Sequence, residues 1–342
     1  MDNLKIYSQG DIDHLIIHRD GETKLGESVA VLSSWDALEG TNAKFVLLGI
    51  PEDTGVRANS GIAGAASAWR TSLVAFLNIQ SNRFLNGEEI LVLGHFEINE
   101  PEDASVKGLR EKVKEIDDLV YPIIEKIIAA GKIPIVIGGG HNNAYPMIKG
   151  LSLANNKPVT VLNVDAHADL RELEGRHSGN GFSYALKENY LSNYLMYGLH
   201  QNYNNENILT QIATNPKLKA VFFDDILIGA DYNVLINDLG PIAGLEIDLD
   251  CIQNVLSSAE TPSGFAVNDI RKLILTSAKK FSYLHISEGA TRMLDGRVSK
   301  LTAKLIAYLV SDFVKAHYAE SRHPEFISGV FLIRKGAEIN SA

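Results

Sequence analysis

The side chains best able to do chemistry in this 342-residue chain fall in three short stretches. These are Gly138-Gly139-Gly140-His141, Asp165-Ala166-His167-Ala168-Asp169 and Glu246-Ile247-Asp248-Leu249-Asp250, and together they hold five carboxylates and two imidazoles. In the second and third stretches the charged residues alternate with small or apolar ones. That is the spacing of a strand, on which residues i, i+2 and i+4 share a face. The alternation therefore predicts that Asp165, His167 and Asp169 continue one strand past its sheet, while Glu246, Asp248 and Asp250 lie along another. Carboxylates set side by side raise one another's pKa unless a cation compensates them, and a divalent metal would do so. Mixed His and Asp ligation without a thiolate selects Mn²⁺, with Zn²⁺, Fe²⁺, Co²⁺ and Ni²⁺ as competitors. Carboxylates bridging two such ions ~3.5–4 Å apart would turn water into a nucleophile near neutral pH. Taken singly, a GGG run is an ordinary tight turn and a strand-end Asp an ordinary helix cap. It is the three stretches together that argue for a metal site. Neither the dinucleotide-binding nor the P-loop glycine pattern occurs.

The first two stretches follow, and the third closes, a short run rich in Val, Ile and Leu. Such runs are Phe45 to Ile50, Ile90 to His95, Ile133 to Ile137, Val159 to Val164, Tyr194 to Leu199, Ala220 to Phe223, Ile242 to Leu249 and Tyr283 to Ile286. Several are continuously apolar, as strands of a parallel sheet covered on both faces are. Between them lie amphipathic helices over about 104–130, where Gly131 supplies the stop, and over 267–280 and 298–316. The alternation predicts an α/β fold: a three-layer α/β/α domain spanning 1–342 around a mostly parallel sheet of about eight strands. In such sheets ligands bind at the carboxyl ends of the strands, where these three stretches sit. Segments 52–64, 171–183 and 201–210 read as long loops.

Composition narrows the function classes. With 45% hydrophobic and 22% charged residues, the chain is an ordinary globular one. A formal charge of −10 and the lack of a basic cluster argue against nucleic acid as a partner. No apolar stretch reaches the ~18–20 residues of a membrane span. The segment MDNLKIYSQGDIDHLIIHRD has no basic region followed by an apolar run, and the single cysteine, Cys251, allows no intrachain disulfide. The expectation is a reduced, cytoplasmic protein with a small-molecule substrate.

GGGH ending at His141, DAHADLR from Asp165 to Arg171 and EIDLD from Glu246 to Asp250 resemble, in that order, the metal-binding motifs of the ureohydrolases. That superfamily contains arginase, agmatinase and formimidoylglutamase. The resemblance implies an arginase-like fold, a homo-oligomer and two Mn²⁺ per subunit. One ion would be held by His141, Asp165, Asp169 and Asp248, the other by Asp165, His167, Asp248 and Asp250, so that Asp165 and Asp248 bridge. It further implies that Asp169 orients the attacking water and that Glu288 bonds the cationic nitrogens of an amidine or guanidine. Around Glu288 the chain reads HISEGAT, where relatives carry Asp-x-x-Glu-x-Asn-Pro.

Local detail is most similar to the formimidoylglutamases. Gly140 stands before the metal histidine, where arginases and agmatinases usually have Asp. Arg171 stands where arginases have Asn, and an arginine suits a substrate bearing an extra carboxylate. Phe182 falls where arginases place a proton-shuttling histidine. Arg57 and Asn59, within the GVRAN segment, look like a second carboxylate clamp, and Ser178 and Asn180 lie where the family places a carboxylate-binding loop. The implied reaction is hydrolysis of N-formimidoyl-L-glutamate to L-glutamate and formamide. A guanidino hydrolase releasing urea is the alternative, and an inactive metal-binding scaffold is the alternative of a different class. Arg171 and Arg57 also read as loop ion pairs. His177 reads as a solvated loop histidine rather than a replacement shuttle, Glu246 as a partner of a ligand or of Arg171, and Cys251 as packed core. The remaining histidines, His14, His18, His95, His200, His285, His317 and His323, show no ligand spacing.

Overall fold

In the computed structural model, which describes residues 3–318, nine strands form one sheet. They are β1 (Leu4–Ile6), β2 (Phe45–Gly49), β3 (Ile90–Phe96), β4 (Ile133–Ile137), β5 (Val159–Val164), β6 (Leu191–Leu199), β7 (Leu218–Phe222), β8 (Ala243–Asp248) and β9 (Tyr283–Ser287). Their order across the sheet is β1-β3-β2-β4-β9-β8-β5-β6-β7. Every neighbouring pair is parallel except β1 on β3. All eight strands expected from the apolar runs are present. The ninth, β1, is three residues long and carries no period of its own, and it forms by pairing antiparallel with the edge of β3.

Successive residues of each strand enter opposite cores. Phe45, Leu47, Ile135 and Ile137 pack on one face with Trp69, Phe76, Ile270 and Phe313, from helices Ala68–Leu77, Val267–Ser277 and Thr302–Tyr318. Val46, Leu48 and Val136 pack on the other with Ile116, Ile124, Met147 and Leu151, from helices Val106–Ala129 and Ala144–Asn155. This two-sided burial is why the strands read as unbroken apolar runs. Helix Val106–Ala129 starts at Ser105, whose hydroxyl accepts the Gly108 N–H, and ends before Gly131 at φ +71°. It lies directly against Ala144–Asn155 at Gly150, where a Cβ would come within 2.8 Å of the Ile124 Cβ. Ile124 is fully buried, and its truncation to Ala would cost about 2–5 kcal/mol.

Three expectations change. The last helix begins at Thr302 rather than 298, because the Ser299 hydroxyl accepts the N–H groups of Leu301 and Thr302 and sets the entry. The stretch 201–210 is no open loop: a short turn, Gln201–Tyr203, leads into helix Glu206–Thr214, capped by Asn205. Segments 52–64 and 171–183 likewise carry helices Thr54–Ala58 and, from Gly181, Gly181–Lys187. His323 lies outside the described residues.

Candidate metal centre

Four strands adjacent in the sheet, β4, β9, β8 and β5, end level with one another. Ile137, Ile286, Ile247 and Val164 pair across a single row. The next row holds Gly138, Ser287, Asp248 and Asp165, so the three motifs open onto the same edge. From β4 the chain turns through Gly138 and Gly139 at φ +94° and +78°, the left-handed conformation that favours glycine. The turn is anchored by buried Glu52, whose carboxylate accepts from Gly140 N (3.1 Å), Asn142 Nδ2 (3.2 Å), Asn143 Nδ2 (2.6 Å) and Thr54 N (2.7 Å). His141 follows, with its N–H donated to Glu288 Oε1 at 2.8 Å.

β5 stops at Val164, so Asp165 to Asp169 form a loop and not the strand extension their alternation predicts. The Asp165 carboxylate draws in the His167 N–H (2.7 Å), Asn204 Oδ1 accepts the Ala168 N–H (3.0 Å), and Asp169 turns left-handed at φ +49°. A hydrogen bond within the loop and one from Asn204 thus override the strand period. Asp250 leaves β8 in a similar way, on the turn Leu249–Cys251, with its N–H bonded to Asp248 Oδ1 at 2.9 Å.

The side chains converge as two groups. His141, Asp165, Asp169 and Asp248 offer donor atoms within 4.8 Å of one another, and so do Asp165, His167 and Asp250, with Asp165 common to both. Asp248 falls in the first group. His141 Nδ1 lies 2.9 Å from Asp169 Oδ2 and 3.2 Å from both Asp165 Oδ2 and Asp248 Oδ2, yet it makes no hydrogen bond. Three carboxylate oxygens crowd one ring nitrogen without lying along its N–H direction, as they would if all four atoms faced a common point. Asp250 Oδ1 is buried and also lacks a partner. This donor set of imidazole nitrogen and carboxylate oxygen fits a hard-to-borderline divalent cation. Electrostatics agree. Burial raises Asp248, with the charges of Asp250 and Asp165 adding to it, and raises Asp250 to about 6 despite the His167 imidazole. Burial also opposes charge on His141 and His167, but the surrounding carboxylates outweigh it and raise both.

Behind His141 sits Glu246. It accepts the Tyr283 hydroxyl (2.6 Å), pairs with His285 Nδ1 and stands 3.6 Å from His141 Nε2. Burial opposes its charge, yet His285 and His141 hold its carboxyl down to about 2. Glu246 therefore faces the ligand side and not Arg171. The Phe182 ring meets His141 edge-on at 5.2 Å.

A cavity of about 210 Å³ opens over both groups, lined by His167, Asp169, Asp248, Asp250, Glu288 and Arg171, among others. That is smaller than the ~300–1,000 Å³ of drug-sized pockets and suits an amino-acid-sized molecule. Asn59 and Ser178 also line it, and Arg171 Nη1 donates to Asn59 Oδ1 at 2.8 Å across 112 residues of sequence.

A sequence model of the arginase family matches residues 43–309. The chain belongs to the arginase family. Over 301 residues it is 26% identical to the formimidoylglutamase of Streptococcus pyogenes serotype M3, covering 81% of this chain and 87% of that one. With the formimidoylglutamase of Macrococcus caseolyticus it shares 29% over 207 residues, 58% of this chain and 66% of the other. Among solved structures, Trypanosoma cruzi formiminoglutamase with Mn²⁺ aligns with a TM-score of 0.70 at 19% identity, covering 86% of this chain and 98% of that one. Bacillus subtilis formimidoylglutamase aligns at 0.71 and 16%, covering 89% and 94%, and the agmatine ureohydrolase of Thermoplasma volcanium at 0.67 and 21%, covering 88% and 96%. These likenesses confirm the arginase-like α/β fold. The chain is a hydrolase of this family with a metal-binding residue cluster.

Not every expected residue of this arginase-family chain reaches the cavity. Arg57 is taken up by Asp53 (3.0 Å) and Glu100 (2.8 Å), the loop ion pairs of its alternative reading, and does not line the cavity. Asn180 is buried beneath the loop, bonding the His177 N–H and the carbonyls of Glu172 and Gly175. His177 is fully buried, not solvated: its Nδ1 accepts the Gly179 N–H (3.1 Å), which leaves the proton on Nε2 facing Glu174 (3.2 Å). Cys251 is packed in the core, as expected. Arg176 escaped notice in the sequence. Its buried guanidinium pairs with Asp117 through Nε (2.8 Å) and donates to Asn180 Oδ1 (2.9 Å) and the Asn142 carbonyl (2.8 Å). Tyr203 and Asn204 were also missed, although both follow the carboxyl end of β6, and the strand-end rule applied there finds them.

Proposed function

We propose that the chain is a binuclear manganese hydrolase of linear amidines that converts N-formimidoyl-L-glutamate and water to L-glutamate and formamide. His141, Asp165, Asp169 and Asp248 would hold one ion, and Asp165, His167, Asp248 and Asp250 the other. Bound there, the ions supply positive charge against the carboxylates and activation of water near neutral pH. The observation that carries the substrate class is that one cavity is lined both by these ligand residues and by Arg171, which is half exposed, aligned by Asn59 and 3.5 Å from Glu174, the loop ion pair of its other reading. A guanidinium there binds a substrate carboxylate in two-point fashion. Glu288, buried and anchored by the His141 N–H, presents a carboxylate that attracts the cationic amidine nitrogens. Asp169 would take a proton from the attacking water at its carboxylate and return it to the departing amine. Glutamate leaves as the amine and the formimidoyl carbon leaves as formamide, so one water is consumed per bond broken.

The one-domain reading rests on the single continuous sheet. No helix among the described residues is long and apolar enough to cross a membrane. A cytoplasmic homo-oligomer accords with the family resemblance and the lone buried cysteine, and light scattering would measure the assembly. The deciding assay offers Mn²⁺-loaded protein formimidoyl-glutamate, arginine, agmatine and guanidinobutyrate, scoring formamide and urea. Formamide from the first alone is expected. Urea from arginine would establish the guanidino reading, turnover of agmatine, which has no carboxylate, would overturn the role of Arg171, and turnover of none would favour a scaffold.

A further inference from the structure

Across the carboxyl ends of β7, β6 and β5 four aromatic rings form a continuous column that ends on a proposed metal ligand. Phe223 stacks on His200 (centroids 4.9 Å, planes 24° apart), His200 on Tyr203 (5.1 Å, 8°), and Tyr203 on His167 (5.2 Å, 16°). The foot of the column is fixed in the core, where Phe223 meets Phe265 edge-on at 5.2 Å. Its outer member is fixed as well: Tyr203 donates its N–H to the His200 carbonyl (3.1 Å), and its hydroxyl lies 3.3 Å from Thr261 Oγ1. The next residue, Asn204, grips the backbone on both sides of His167, accepting the Ala168 N–H (3.0 Å) and donating to the Ala166 carbonyl (3.3 Å).

His167 needs such a support. Asp165 (3.5 Å) and Asp250 (3.2 Å) both approach its Nδ1. Contacts at a single atom leave the ring free to swing about that atom. Metal-bound histidines are usually steadied by a hydrogen bond at their other nitrogen. In this chain the ring carries a stacked aromatic plane, and aromatic pairs favour such face contacts.

We infer that Tyr203 is a positioning residue for His167: its ring sets the plane of the imidazole and thereby the affinity of the cation that Asp165, His167 and Asp250 would hold. The other group shares only Asp165 with this one, and its histidine, His141, meets Phe182 and His285 rather than the column, so Tyr203 acts chiefly on the ion that His167 would hold. This rests on the binuclear reading proposed above. Removing a group that orients a ligand typically weakens metal binding about 10–100-fold, and the stack alone accounts for about tenfold at most.

Metal-stripped wild type, Tyr203→Ala and Tyr203→Phe are titrated with Mn²⁺, reading stepwise affinities by calorimetry and ion pairing by electron paramagnetic resonance. Wild type and Tyr203→Phe should each take two ions with a spin-coupled signal. Tyr203→Ala should bind one ion as before and the other about tenfold more weakly, with a mononuclear signal at low loading. If Ala does not fold, Tyr203→Leu keeps the bulk without the ring and gives the same reading. Two ions at unchanged affinity in the ring-less variant overturn the inference, as does equal weakening of both or failure of Phe to match wild type. Fewer than two ions in wild type itself would instead remove the binuclear reading, and this inference with it.

Discussion

Asp169 combines a left-handed backbone (φ +49°) with a carboxylate oxygen 2.9 Å from His141 Nδ1. Asp tolerates that conformation better than most residues, and the loop spends its strain on aiming one oxygen into the cluster. Asp169→Ala is expected to lose bound metal and hydrolysis together, measured by elemental analysis and formamide release; an active, metal-replete variant would exclude this cluster as the centre. His177 makes a different kind of prediction. Burial, together with the Arg110 and Arg171 guanidinium groups, pushes its imidazole from the usual 6.5 down to about 4, despite Glu174. The folded chain therefore favours the neutral ring, and between pH 6.5 and 4 the unfolded chain binds the extra proton. Stability contributed by this ring is fully present above pH 6.5 and is lost as pH falls toward 4, by on the order of 3 kcal/mol. Urea unfolding at pH 7 and 4.5 should show a smaller acid loss for His177→Asn than for wild type. The motif around His177 was visible in the sequence, but its burial was not. A histidine in a polar loop reads as solvated until the loop is known to fold under itself.

Among the elements, the segment 171–183 most depends on one residue. Arg176 joins it to helix Val106–Ala129 through Asp117 and to the turn after His141 through the Asn142 carbonyl, while Tyr145 and Tyr184 lie 4.8 and 5.1 Å from its guanidinium. Asp117 and Arg176 are both almost wholly buried, so removing one leaves the other uncompensated. Arg176→Ala should destabilise the fold by about 3–5 kcal/mol in chemical denaturation, whereas a joint Asp117→Leu, Arg176→Met replacement should recover much of that loss. The strands and long helices were legible because their periods are long enough to exceed chance: eight apolar runs and the helix stopped by Gly131 all appear where expected. β1, the helix Glu206–Thr214 and the loop at Asp165 were not. Each is decided by a cap, an edge or a local hydrogen bond, which leaves little trace in hydrophobic pattern.

Over the whole molecule, the sheet gathers four carboxylates and two imidazoles at one edge, at a cost that a divalent cation offsets. Chelation should therefore lower the melting temperature by several degrees, and Mn²⁺ at ~100 times its dissociation constant should restore about 2.7 kcal/mol, measured by calorimetry. No change on chelation would mean that the cluster is stable without a cation. The amino-acid sequence by itself determined the α/β alternation and the ligand types, because apolar runs and chemically distinctive side chains are local properties. It also placed those ligands after strands, and hence at the binding edge. Only the tertiary structure decided that β4, β9, β8 and β5 lie side by side, that the three motifs converge there, and that Arg171 reaches the cavity while Arg57 and Asn180 do not. Strand order, and the spending of a polar side chain on a loop or on a cavity, depend on partners more than a hundred residues away, as with Arg171 and Asn59, and no local pattern records them.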